Sequence, residues 1–329
     1  MIKSETINNL TKIINENNKF IITTHVNPDA DAIGSAVSIY YILKKLGKSA
    51  EIINHSETPS NLEFLVPDEI VKQYNPEIHN EVINSADALI VVDLNSLKRT
   101  ISMKEQLEKF NGVKVCIDHH ENPEDFADLF LLDINYTSTG EIIYDYIKKS
   151  NIIELDEKIA EAIYSAVMTD TGSFRFERTS SKTHLMTADL LDNGANPKLV
   201  YEKIYDQNKL GRTRLLGRCL SELTLNSTGD ICYMTITQKM LEEYETKESD
   251  VDGFVNFCLS IENTQIGILF FELKDGMKIS FRSKTQIPVN KIAANYGGGG
   301  HFHAAGARLH NVDFQEIIKN TIKLAEEYL

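Results

Sequence analysis

The chain has 329 residues, of which 42% are hydrophobic and 25% charged, and its formal net charge is −14. These values suit a soluble globular protein of two domains or one large one. The acidic balance argues against tracking a long nucleic acid, which needs a basic stripe, but allows a short phosphorylated ligand neutralised by bound cations and a few arginines.

The N-terminus reads as an amphipathic helix with Ile7, Leu10, Ile13 and Ile14 on one face. It lacks the apolar core and cleavage site of a signal peptide, and no later apolar run reaches membrane-spanning length, so the default location is cytoplasmic. Lys19–His25 reads as a strand, Asp31–Leu46 as a helix stopped by Gly47, and Ala50–Asn54 as a second strand. Ala88–Asp93 and Val113–Ile117 are short, almost wholly apolar strands of the kind covered on both faces, and Leu129–Ile134 reads as another. Helices are predicted over Ser138–Lys149, Asp156–Met168 and Ser181–Asp192. The alternation predicts a doubly wound, mostly parallel α/β sheet. Gly194-Ala195-Asn196-Pro197 breaks the pattern, and Lys198–Leu223 reads as one long polar helical connector. Beyond it, Asp230–Thr237, Gln265–Lys274 and Met277–Ser283 look like antiparallel strands, with Asp275-Gly276 as a hairpin turn and Asp313–Leu329 as a closing helix. The expected division is therefore residues 1–193, a helical linker 194–224, and a smaller lobe 225–329. Cys116, Cys219, Cys232 and Cys258 form no CxxC pair and read as reduced, buried residues.

Four segments carry acids or imidazoles at element ends. In His25-Val26-Asn27-Pro28-Asp29-Ala30-Asp31, Pro28 keeps Asn27 out of the helix, so His25, Asp29 and Asp31 crowd one loop. An N-capping role explains one of the two acids, but two plus a histidine call for a cation to offset their repulsion. Asp93 follows the apolar Val91-Val92, where a carboxylate is costly unless paired or metal-bound. Asp118-His119-His120 ends another apolar strand, at the edge where open α/β sheets hold ligands. Asp170 stands where an apolar helix ends. Each has a bland explanation as a cap or a solvated loop residue; four together in one domain point to a metal site. Carboxylates with imidazoles and no thiolate suit Mn²⁺, with Mg²⁺, Co²⁺ or Fe²⁺ as substitutes. His25, Asp29, Asp31, Asp93, His119 and Asp170 exceed one ion's needs, so two ions sharing a carboxylate are expected, an arrangement that clamps an in-line phosphoryl displacement.

The second lobe carries Gly297-Gly298-Gly299-Gly300-His301, read as a nest of backbone N–H groups for an anion rather than a flexible linker. Arg282 lies upstream of it. Arg175, between Phe174 and Phe176, is placed to reach a ligand from just beyond Asp170, with the phenylalanines read as core residues of which one could instead stack on a base.

In their order and content these segments resemble the motifs of the DHH phosphoesterase superfamily, with Asp118-His119-His120 as its name triplet. Gly297–Gly306 and Ile279–Ser283 resemble its DHHA1 domain. Length and plan are similar to the NrnA-like oligoribonuclease and 3′-phosphoadenosine 5′-phosphate (pAp) phosphatase branch. The resemblance implies a smaller C-terminal α/β substrate domain and hydrolysis of short oligoribonucleotides, linear dinucleotides such as pApA, or pAp. It also implies roles. His25 and Asp29 hold a first ion, Asp31, His119 and Asp170 a second, and Asp93 bridges them. His120 faces the substrate, and Asp118 orients an imidazole. Arg175, Arg282, Gly298, Gly299, Gly300 and His301 bind substrate. A homodimer through the first lobe is a further expectation. The metal motif alone leaves open a pyrophosphatase or exopolyphosphatase, or a nucleotide sensor.

Overall fold

The computed structural model describes residues 2–67, 70–284 and 286–329. The chain divides into two compact units, one ending at Gln207 and one running from Asn208 to Leu329.

The first unit is built on six parallel strands: β1 (Lys19–Thr23), β2 (Ser49–Asn54), β3 (Val71–Gln73), β4 (Ala88–Val92), β5 (Val113–Asp118) and β6 (Leu129–Leu132). Their order is β3-β2-β1-β4-β5-β6. Chain progression reverses between β1 and β4, and sheets of this kind bind ligands beyond the strand C-termini at that reversal. Alternate strand residues feed two cores. Phe20, Ile22, Ile90 and Val92 face one cluster, which takes in α1 (Ser4–Glu16), α2 (Ala30–Lys45), α5 (Thr139–Ser150) and α6 (Glu157–Asp170). Ile21, Leu89 and Val91 face the other, with Ile83 of α3 (Pro76–Asn84) and Leu107 of α4 (Lys104–Glu108). Burial on both faces explains the unbroken apolar runs. Within α1, Ile7, Leu10 and Ile14 are the buried stripe.

α2 and α6 pack closely because residue 34 is glycine: a Cβ there would overlap the Ala162 carbonyl oxygen. That contact places the start of α2 near the end of α6.

The connector differs from expectation. Lys198–Leu223 is two helices, α8 (Pro197–Tyr205) after α7 (Ser181–Asp192), and α9 (Leu210–Ser221). The first packs in unit one through Val200, the second in unit two through Leu215 and Cys219. The polar composition of the stretch hid the two separate apolar stripes.

The second unit has six strands: β7 (Thr224–Leu225), β8 (Ile231–Ile236), β9 (Ile266–Leu273), β10 (Gly276–Ser283), β11 (Gly299–His301) and β12 (Ala304–His310), in the order β11-β12-β10-β9-β8-β7. Here β8 pairs parallel to β9, not antiparallel as the sequence suggested. The crossover between them holds α10 (Gln238–Glu243) and α11 (Val255–Leu259), long enough to return the chain to the same end of the sheet. β9 and β10 do form an antiparallel hairpin, but its loop is Lys274-Asp275, and Gly276 is already paired with Leu273. Beyond β10 come α12 (Val289–Ala294) and, last, α13 (Phe314–Glu326), capped by Asp313. All four cysteines are buried and unbridged. No helix among the described residues is long and apolar enough to cross a membrane.

Candidate metal centre

Four element ends converge where strand order reverses. His25 lies two residues beyond β1 and is buried. Its Nδ1–H donates to the Val26 carbonyl at 2.9 Å, which turns Nε2 toward Asp93 Oδ2 (3.3 Å) and Asp29 Oδ1 (4.0 Å). Asp29 also caps α2, accepting from the Ala32 amide at 3.0 Å, so the capping and ligand explanations coexist in one residue.

Asp31 is fully buried in the first turn of α2. It accepts from the amides of Thr139 (2.8 Å) and Gly140 (2.9 Å) at the start of α5, and from Ser35 Oγ (3.2 Å). Burial, followed by repulsion from Asp93 and Asp170, pushes its pKa well above the ordinary carboxylate value.

Asp93 is the hub. It follows β4 with a left-handed φ of 55°, uncommon for a non-glycine residue and found where local geometry serves a site. Its carboxylate lies 3.3 Å from His25 Nε2, 3.6 Å from His119 Nε2 and 3.5 Å from His120 Nδ1, and accepts from Thr139 Oγ1 at 3.1 Å. Burial alone would raise its pKa, but the three imidazoles override this and hold it far below the ordinary range.

His119 Nε2 also reaches Asp170 Oδ2 (3.3 Å) and Asp31 Oδ2 (3.6 Å). Burial would lower its pKa, yet the surrounding carboxylates raise it to about 10. Asp170 occupies the last turn of α6, the end of a helix where the macrodipole disfavours an acid. Burial raises its carboxyl to about 6, against the pull of His119. His120 stacks edge-on against His119, and its Nδ1 lies 2.7 Å from Asp118 Oδ1. Asp118 thus orients His120, while its own Oδ2 is buried without a hydrogen-bond partner.

Three overlapping groups each bring their ligand atoms within 4.8 Å of one another: His25, Asp29 and Asp93; Asp31, His119 and Asp170; and Asp93, His119 and His120. The donors are carboxylate oxygens and imidazole nitrogens, the set that suits a borderline or hard divalent cation. Acids whose pKa is raised by burial and then by mutual repulsion, and an imidazole whose pKa is raised by the carboxylates around it, form the kind of charge crowding a bound cation would relieve. All six sequence-nominated ligands therefore meet at one place. Sequence reasoning missed Thr139 and Gly140, which hold Asp31 and Asp93 from the start of α5. The available signal was Ser138-Thr139-Gly140 opening a helix whose first amides need acceptors.

The remaining nominated residues lie elsewhere. Arg175 is exposed in the turn after Asp170, its guanidinium 5.9 Å from the Phe176 ring centre. Phe174 is packed as expected, but Phe176 is 53% exposed rather than core, because residues 171–178 form turns and not an alternating strand. In unit two, Arg282 on β10 pairs with Ala304 on β12, which pairs with His301 on β11. Cross-strand partners share a face, so Arg282 and His301 flank one small residue, roughly 10 Å apart by strand spacing. The glycines are not a free-standing nest. Gly299 and Gly300 belong to edge strand β11, whose ladder with β12 takes part of their hydrogen-bonding capacity. Gly300 has a φ of 142°, and a Cβ on it or on Gly298 would strike β12 backbone.

Residues 19–167 match the DHH family, N-terminal domain, and residues 229–329 the DHHA1 domain. The chain belongs to the DHH–DHHA1 phosphoesterases. It is 29% identical to the bifunctional oligoribonuclease and PAP phosphatase NrnA of Thermus thermophilus, over 94% of this chain and 89% of that one. Identity to the Bacillus subtilis protein of the same name is also 29%, over 92% and 93%. A crystal structure of an exopolyphosphatase-related protein from Bacteroides fragilis superposes with a TM-score of 0.94 at 30% identity, covering 100% of this chain and 97% of that one.

Proposed function

We propose that this protein is a manganese-dependent phosphoesterase that converts short oligoribonucleotides, linear dinucleotides such as pApA, or pAp to mononucleotides. The observation that carries the reading is the convergence of His25, Asp29, Asp31, Asp93, His119 and Asp170 around one point of unit one. Its similarity along nearly the whole chain to NrnA relatives supplies the substrate class.

His25 and Asp29 would hold one cation, Asp31, His119 and Asp170 a second, with Asp93 between them. Bound divalent cations supply Lewis-acid polarisation of phosphoryl oxygens and lower the pKa of water. The chain's own contribution is to fix the donors. Thr139 and Gly140 clamp Asp31, and the Val26 carbonyl sets the His25 tautomer. His120, oriented by Asp118 through Nδ1, is assigned to polarise the scissile phosphate or protonate the leaving oxygen. Arg175, Arg282, Gly298, Gly299, Gly300 and His301 are assigned to substrate phosphates and nucleotide ends.

A second reading is exopolyphosphatase or pyrophosphatase, the first of which is favoured by the likeness to the exopolyphosphatase-related Bacteroides fragilis protein. Phosphate and mononucleotide release should be measured with Mn²⁺-loaded protein on pAp, pApA, a short RNA ladder, pyrophosphate and polyphosphate. Faster turnover of pAp or short RNA supports the proposal. Faster turnover of pyrophosphate or polyphosphate establishes the second reading, and nucleotide binding without turnover would make the protein a sensor.

A further inference from the structure

After Asp170 the chain makes an unusual turn. Gly172, Ser173 and Phe174 have φ of 57°, 60° and 65°, three consecutive left-handed residues of which two carry side chains. Each such non-glycine residue costs roughly 1–2 kcal/mol, so the surroundings must enforce the shape. They do. The Gly172 and Ser173 amides bond the Thr169 and Met168 carbonyls at 2.9 and 2.8 Å, and those of Arg175 and Phe176 both bond the Thr171 carbonyl at 3.0 Å. The Phe174 amide bonds Thr171 Oγ1 at 3.0 Å, and its ring packs between Tyr164 and His184. Anchoring Phe174 inward turns Arg175 and Phe176 outward.

A second element meets the same turn. The Tyr205 hydroxyl, at the end of α8, is hydrogen-bonded to Ser173, and Tyr205 lies within electrostatic reach of Asp170 and Arg175. One helical turn earlier, Tyr201 sits with its ring 5.0 Å from that of Tyr205. The Phe176 ring covers Gly172, the neighbour of Ser173. Phe176, Tyr201 and Tyr205 are all substantially exposed. A lone exposed aromatic needs no explanation. Two of them against adjacent residues of one turn and a third packed on the second of these, close to the candidate metal ligand Asp170 and beside an arginine with no ion-pair partner among the described residues, do.

We propose that Phe176, Tyr201 and Tyr205 form a stacking shelf for the nucleobase of the nucleotide whose phosphate is cleaved at the metal centre. The π faces accept any base, and the Arg175 guanidinium adds a cation beside the ring and the phosphate. This inference rests on the phosphoester-hydrolase reading and adds to it the residues that distinguish a nucleotide from a bare phosphoester. Base–aromatic stacking of about 1.4 kcal/mol corresponds to tenfold in affinity.

The test compares Mn²⁺-loaded wild type with Phe176→Ala, Phe176→Tyr and Tyr205→Ala on pAp and on ribose 3,5-bisphosphate, which lacks the base. Phe176→Ala should raise KM for pAp about tenfold with kcat nearly unchanged, Tyr205→Ala should act in the same direction, and Phe176→Tyr should restore KM. Turnover of the baseless substrate should be unaffected. An equal loss on both substrates would overturn the shelf. A readout independent of turnover comes from Phe176→Trp, since the chain contains no tryptophan. Adenosine 5′-monophosphate should quench its fluorescence, whereas ribose 5-phosphate should not. Equal or absent quenching would also overturn the shelf. Quenching by the adenine nucleotide in a protein that hydrolyses no substrate would uphold the shelf and remove the hydrolase reading alone.

Discussion

The two units carry their chemistry-bearing residues in different ways. In the first, the groups stand at element ends: His25 beyond β1, Asp93 beyond β4, His119 beyond β5, Asp31 at the start of α2 and Asp170 at the end of α6. In the second, Arg282 lies within β10 and His301 on edge strand β11, aligned by cross-strand register through Ala304. A parallel sheet buried on both faces has only its strand ends free for chemistry, so ligands gather at one edge. An antiparallel edge offers a whole strand face and a row of backbone groups. The first geometry holds charged groups at fixed short distances, whereas the second presents side chains along an open strand face.

Four substitutions probe that contrast. The largest effect should come from Asp93→Ala, which removes the carboxylate facing three imidazoles. Turnover should fall by at least about a thousandfold, and calorimetric titration should show weakened Mn²⁺ binding; retained turnover would dissolve the assigned centre. Next is Thr139→Val, which deletes the hydroxyl donor to Asp93 while keeping the backbone amide to Asp31. Groups that orient ligands are worth roughly 10–100-fold in metal affinity or activity, so kcat should drop within that range. Arg282→Ala should instead raise KM for nucleotide substrates about tenfold and leave Mn²⁺ affinity untouched. A fall in metal affinity would erase the distinction between the units.

The smallest effect concerns a buried acid of unit one outside the candidate metal centre. Asp145 accepts from the Tyr136 hydroxyl (2.5 Å), Lys149 (2.9 Å) and Lys182 (3.1 Å). Burial would raise its pKa, but these donors override it and hold the carboxyl below its ordinary value. A depressed carboxyl contributes stability that is present above the unfolded value, about 3.9, and is lost as pH falls through the folded one. Wild type should therefore exceed Asp145→Asn by about 1–2 kcal/mol at neutral pH, and denaturation curves should converge as the solution is acidified below about pH 4. An advantage that persisted in strong acid would exclude charge as its source.

Much of this was readable from residue order. An acid directly after Val91-Val92, or two histidines after Ile117, is anomalous by itself, because an apolar run rarely ends in charge without a partner. The division of labour at the start of α5 was not readable, since Thr139 and Gly140 are ordinary helix-opening residues until Asp31, 108 positions away, is seen to accept from the first of them. The core reading of the alternating Phe174 and Phe176 held only for the first, because the left-handed turn at Gly172–Phe174 leaves Phe174 packed and Phe176 exposed. The parallel β8–β9 pairing was missed because a local pattern of apolar residues specifies a strand but not the direction of its neighbour.

The sequence by itself determined which side chains carry charge, which apolar runs become strands and helices, and that the acids and imidazoles fall at their ends. Those are local properties, set by hydrophobic periodicity and by the cost of burying an unpaired carboxylate. Only the tertiary structure decided that β1 and β4 lie side by side, that Gly34 lets α6 come close enough for Asp170 to reach His119, and that the amides of α5 hold Asp31. Such distances depend on packing between segments far apart in the chain, where no single residue's preference prescribes the outcome.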